Sequence, residues 1–139
     1  MKSRSILKNQ FFYYENASNF HNKVRDIFAN DSFFKQFACY QEVPLSFLVN
    51  GYPNNKDAVD WWIDEFGVII ELHGRQHYEA TSWSKEISYA EKQKAFNNIK
   101  FRDNRKKTAL ELSGYKYIEI CYKDKKKLDA EFLKNLIFT

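Results

Sequence analysis

The chain holds only two cysteines, Cys39 and Cys121, and they stand far apart. That excludes a disulfide framework and leaves no closely spaced pair of the kind a zinc finger uses, which fits a reducing, cytoplasmic setting. Two prolines and four glycines in 139 residues are too few for a linker-rich or disordered chain. No apolar run approaches the ~20 residues of a membrane span, and residues 1–7 lack the apolar stretch of a secretory signal. The expectation is a soluble intracellular protein with no membrane partner.

What is abundant is aromatic: 13 Phe, nine Tyr and three Trp. With 139 residues this is enough to bury one substantial core. The expected organisation is one domain, 1–139, with 1–15 as an extension that no pattern assigns. A net charge of +4 and a pI near 8.9 are compatible with a polyanionic partner without requiring one.

Hydrophobic spacing gives the order α-β-β-β-α-β-α. Asn16 or Ser18 can cap a helix to about Ala29, carrying Phe20, Val24, Ile27 and Phe28 on one stripe. Phe33, Phe34 and Phe37 close the corner after it. Residues 39–45 read as a strand ending at Pro44 and Leu45. Asn50-Gly51-Tyr52-Pro53-Asn54-Asn55 is a loop. Runs 59–63 and 68–72, joined through Gly67, read as a hairpin of buried strands. A helix over roughly 84–112 stops at Ser113-Gly114. A strand over 115–122, the basic run 123–127 and a short apolar helix complete the chain. That pattern predicts an α/β fold, a mixed central sheet flanked by helices.

Two carboxylates stand out against this pattern. Asp60 lies on the first hairpin strand, and Glu71 interrupts Val68-Ile69-Ile70-Glu71-Leu72 on the second. A carboxylate in such a run is costly to bury unless a cation meets it, and hard divalent ions favour carboxylate oxygens. Strand alternation puts His73 on the same side as Glu71. Gly74, Arg75, Gln76 and His77 follow at the strand end. Plainer alternatives exist for each: Asp60 could cap a turn or pair with Lys56, and Glu71 could form an ion pair with Arg75 or Lys106. His73 could be a hydrogen-bonded core histidine, and Gln76 and His77 could cap the strand. Asp64 and Glu65 read as turn decoration.

Asp60, followed by Glu71-Leu72-His73-Gly74-Arg75-Gln76-His77-Tyr78, resembles the PD-(D/E)XK nuclease superfamily. The branch it is most similar to holds very-short-patch-repair endonucleases and phage homing endonucleases. Gln93, Asp103-Asn104-Arg105-Lys106 and Gly114-Tyr115-Lys116-Tyr117-Ile118 extend the resemblance over about 39–122. It departs from the pattern in two places. His73 stands where the superfamily carries its lysine. Phe20-His21-Asn22 occupies the stretch where many members carry a helical Glu, with Glu15 and Glu42 merely nearby, so the third acid is Glu15, Glu42 or none.

The resemblance implies a restriction-endonuclease-like fold and a metal-dependent DNA endonuclease. Asp60, Glu71 and the Leu72 carbonyl would bind Mg²⁺ or Mn²⁺. His73 would position the attacking water, assisted by Gln76 or His77. Arg75 would hold phosphate, together with the helix surface bearing Arg102, Arg105, Lys106 and Lys107. Phe96, Ile99, Asp103, Lys106 and Leu110 fall on one helical stripe, which would carry the helix past the site. Specificity would come from loops 46–56 and 79–85, a homodimer or a partner protein. Trp61 and Trp62 should point to opposite faces; base stacking is open to one of them, but core or interface is the expected place for both. The alternatives are a junction resolvase or RNA nuclease on the same fold, an inactive DNA-binding or assembly protein that keeps it, and a subunit docking through Phe11 to Tyr14.

Overall fold

The computed structural model describes residues 18–78 and 88–139. Helix α1 (Asn19–Asn30) starts where the Ser18 hydroxyl accepts from the His21 N–H, satisfying one orphan donor of the first turn. It buries Phe20, Val24 and Phe28. Asp31 ends it, and its carboxylate accepts from the Phe33 and Phe34 N–H groups. That launches the 3₁₀ turn Phe34–Gln36 and the aromatic corner. Phe33 packs edge-on against Phe34, Phe37 and Phe138.

Four strands follow, β1 (Cys39–Pro44), β2 (Ala58–Ile63), β3 (Val68–His73) and β4 (Lys116–Cys121), paired in the order β1-β2-β3-β4. The first two pairings are antiparallel and the last is parallel, so the sheet is mixed. A short 3₁₀ turn, Asp64–Phe66, joins β2 to β3, and Gly67 leaves it at φ +59°, where a side chain would be strained. Parallel strands cannot be joined by a hairpin; the β3-to-β4 crossover carries α3 (Tyr89–Leu112). Gly114, at φ +92°, follows the end of α3. Helix α4 (Ala130–Phe138), capped by Asp129, closes the chain after the basic run, which forms the 3₁₀ segment Tyr122–Lys127.

The core lies in two layers. Trp61, Ile63, Val68, Ile70, Leu72, Ile118 and Ile120 pack with α1 and α4. Val43, Val59, Trp62, Ile69 and Leu110 form a second cluster with the four-residue helix α2 (Leu45–Leu48). Trp61 meets Phe28 edge-on at 4.9 Å, while Trp62 stacks on Tyr40 at 5.2 Å. Both indoles are buried, so neither is left to stack on a base.

Leu45 was expected to extend β1 and instead opens α2. Its N–H still reaches the Asp57 carbonyl, but its own carbonyl accepts from Val49 at 2.7 Å. Pro44 sits at the helix N-cap with no N–H to offer a ladder. The long helix is described from its Ser88 cap onward, whose hydroxyl accepts from Glu91; the expected start at 84 lies outside the described residues. So do Glu15, Phe11 to Tyr14 and loop 79–85. Among the described residues no helix is long and apolar enough to cross a membrane.

Candidate active site

Strands β2 and β3 pair from Ile63–Val68 through Trp61–Ile70 and then part. One residue further, Asp60 and Glu71 face the gap. The Leu72 N–H, which would otherwise seek a β2 carbonyl, donates to Asp60 Oδ2 at 2.7 Å. On the other side of β2 the register pairs Gln41 with Trp61 and Val43 with Val59 but skips Glu42, whose φ is +51°. Across β3, Glu71 pairs with Glu119 of β4. Glu42, Asp60, Glu71 and Glu119 thus form one transverse row of acids over all four strands. Like charges directly opposite destabilise a sheet, so the row needs cations.

Three cationic or polar groups meet it. Helix α3 turns Lys106 inward until its Nζ lies 2.8 Å from Glu71 Oε1 and donates to the Ala58 carbonyl at 3.0 Å. The approach to Glu71 is off-axis, and Oε1 has no aligned hydrogen-bond donor. Helix α1 brings His21 Nε2 to 3.5 Å from Asp60 Oδ1. His73 Nδ1 lies 2.7 Å from Glu119 Oε1. Lys106 and Glu71 are both buried, whereas the Asp60 side chain is 26% exposed.

The two central acids are driven apart in acidity. Burial, followed by the charge of Asp60, holds Glu71 well above the usual carboxylate range against the pull of Lys106. Burial also pushes Asp60 upward, but the His21 hydrogen bond and the Leu72 N–H outweigh it and hold Asp60 low. Asp60 in turn raises His21, chiefly through their hydrogen bond. Two acids so close, one of them reluctant to ionise, form a site to which a divalent cation would add charge balance.

The row opens onto a cleft of ≈ 1170 Å³ lined by Asp60, Glu71, His77, Arg25, Arg102 and Arg105 among others. Not every expected residue faces it. His73 is 1% exposed, does not line the cleft and stacks on His77 at 4.0 Å. Burial and the neighbouring His77 hold its pKa low, so it is neutral at neutral pH. His77 does line the cleft, and its Nδ1 is 2.8 Å from Asp103 Oδ2. The Gln76 side chain lies outside the described residues.

The basic helix surface divides. Lys106, expected among the phosphate contacts, is buried against Glu71 because it shares the stripe of Leu110 and Asp103. Arg105 bonds Asp57 at 2.8 Å and the Tyr52 hydroxyl at 3.2 Å. Arg102, Lys107 and Arg75 are exposed. Glu71 therefore pairs with Lys106 rather than Arg75, and Asp60 meets His21. His21 carried no assigned role in the sequence; its one signal was its position in the helix segment where an acidic residue was sought. Asp103 was legible as a charge set in an apolar stripe. Neither a scan against protein-family models nor a search of curated proteins returns a match for this chain.

Proposed function

We propose that this protein is a metal-dependent DNA endonuclease with a restriction-endonuclease-like fold, cutting phosphodiester bonds in the cleft above the acidic row. The observation that carries the reading is the meeting of Asp60, Glu71 and the buried Lys106 where β2 and β3 part. Mg²⁺ or Mn²⁺ would be held by Asp60 and Glu71. The Leu72 carbonyl would join them, because N–H and C=O of one strand residue project to the same edge and the Leu72 N–H already points into the gap. The donors are all hard oxygens, which suits these ions. Such an ion polarises phosphate and lowers the pKa of bound water.

Lys106 supplies the fixed positive charge that His73 cannot supply while neutral. It would stabilise charge building on the phosphate oxygens, as preorganised donors do in a water-poor site. Arg102 and Arg25 line the approach and would hold the backbone. A homodimer or a partner protein would add specificity.

A second reading has its own support: Glu71 and Asp60 each already have a cationic neighbour, Lys106 and His21. A protein that keeps the fold and binds DNA without cutting it would need no ion there. Incubation of supercoiled plasmid with Mg²⁺ or Mn²⁺ separates the two. The nuclease reading requires nicked or linear product from the parent protein and none from Glu71→Gln at equal protein. DNA retention without product, in either metal, selects the binding protein. Four-way junction and RNA substrates in the same assay identify a resolvase or RNA nuclease.

A further inference from the structure

Behind the acidic row lies a second cluster that the proposed cleavage does not use. His73 from the end of β3, His77 from the 3₁₀ turn Arg75–His77 and Asp103 from α3 bring one ligand atom each to within 4.8 Å of one another. Glu119 of β4 stands beside them, 2.7 Å from His73 Nδ1. We propose that these side chains form a binding site for a borderline transition ion of the Zn²⁺ class, separate from the hard-cation site at Asp60 and Glu71.

Donor chemistry divides the two sites. Imidazole nitrogen with carboxylate oxygen suits Zn²⁺ and its neighbours, whereas an all-oxygen set suits Mg²⁺ and Mn²⁺. Two histidines and one aspartate make the three protein ligands after which zinc commonly takes a fourth from water or another side chain. Glu119, 42% exposed and accepting from the Tyr78 hydroxyl at 3.1 Å, stands within reach of that fourth position.

Buried polar atoms give the independent support. His73 is 1% exposed; its Nδ1 faces Glu119, but its Nε2 has no hydrogen-bond partner, and Asp103 Oδ1 has none either. Orphaned polar atoms at such depth destabilise the fold, and a coordinated ion would satisfy them. The chain also spends three elements and its parallel strand pair on converging these groups, which an ordinary core histidine would not need.

The required movement is small. Ligand atoms around Zn²⁺, at ~2.0–2.1 Å from it in a tetrahedron, lie about 3.4 Å apart. The cluster must draw in by roughly 1.5 Å at its widest. One stacked imidazole must also rotate so that its lone pair, rather than its face, meets the ion. His77, on a turn and less buried than His73, has that freedom.

The test titrates the full chain with Zn²⁺ and, for its visible absorption, Co²⁺, in the presence of excess Mg²⁺. The expected result is one equivalent of Co²⁺ with ligand-field bands, displaced by Zn²⁺, and a Zn²⁺-dependent rise in melting temperature. His77→Gln and Asp103→Asn, checked for folding by circular dichroism, should each weaken Zn²⁺ by more than the 10- to 100-fold that an outer-shell partner costs. Glu71→Gln should leave the Zn²⁺ titration unchanged. No saturable Zn²⁺ binding, or binding indifferent to both His77→Gln and Asp103→Asn, overturns the site. Loss of Zn²⁺ in Glu71→Gln alone does too, by placing the ion in the acidic row. Plasmid cleavage is scored separately, so a protein that never cuts DNA can still pass or fail this test.

Discussion

Val68, Ile69 and Ile70 fill the first half of β3, and Glu71, Leu72 and His73 fill the second; all six are buried. The first half is paired on both sides and sits between two apolar clusters. The second half has lost its β2 partner, and the groups around it are a lysine, two histidines and three other acids. Equal burial therefore hides opposite energetics. Removing water from the apolar half stabilises the fold by roughly 1.5–3 kcal/mol for each side chain. Removing it from the charged half costs stability that only paired charges offset. Beside the open cleft, that cost is what the proposed metal site would offset.

The contrast is broken most directly at two neighbours on β2. Trp61→Ala empties a site filled against Phe28 and should destabilise by about 3–5 kcal/mol. Asp60→Asn keeps a carbonyl oxygen for the Leu72 N–H and should change stability by only ~1 kcal/mol. Its cleavage, however, should fall ~10³-fold, the kinetic equivalent of the several kcal/mol a metal contributes. Paired urea melts and plasmid assays check both. A large stability loss in Asp60→Asn with cleavage intact would make the acidic row structural and move the cutting site elsewhere.

Lys106→Met cuts at the join between the halves. It removes the cation beside Glu71, leaving that acid to protonate rather than stand charged in the interior. Cleavage should drop about 10²-fold, as when one preorganised donor is lost. Divalent-ion affinity, measured by calorimetry, should tighten, because Lys106 competes with the ion for Glu71. Weaker metal binding in Lys106→Met would mean the lysine organises the site instead of balancing its charge.

The apolar half was legible in the sequence because periodicity reports local geometry. Val59, Ile63 and Val68 to Ile70 announced the hairpin, and Ser18 and Gly114 marked helix ends. The charged half was legible as residue types but not as directions. Lys106 reads two ways, as one of four basic residues on the helix and as a member of the stripe with Asp103 and Leu110; packing decides for the stripe. His73 shares a strand side with Glu71, yet its distance from the cleft is set by α3 and β4, which reach it from elsewhere in the chain. His21 depends on where α1 crosses β2, a contact between segments that no local pattern encodes.

Acidification should separate the halves thermodynamically. Glu71 has a folded pKa above its ordinary 4.5, so it favours the folded state more as pH falls from neutral toward that value. His21, raised from 6.5, acts in the same direction, and its contribution is lost as pH climbs through its folded value. His73, lowered from 6.5, acts oppositely and loses its contribution as pH falls through that range. Asp60, held below 3.8, contributes above that value and fails only in stronger acid. In EDTA, Glu71 and His21 should outweigh His73, raising the melting temperature by a few degrees between pH 8 and pH 5, at roughly 3–5 °C per kcal/mol. Saturating Mg²⁺ should flatten or reverse that slope by holding Glu71 ionised. Identical slopes with and without Mg²⁺ would show that the ion never meets Glu71.

The smallest effect tests how the charged half extends onto α3. Arg102 lines the cleft while Lys107, also exposed, does not. A phosphate backbone lying in the cleft should therefore feel one and not the other. Arg102→Glu should reduce the slope of log K against log salt for duplex DNA by about 1, the signature of one lost phosphate contact. Lys107→Glu should leave the slope within error, although both substitutions change net charge equally. Equal reductions from the two would place the DNA along the outer face of the helix, away from Asp60 and Glu71, and the acidic row would then need a different substrate.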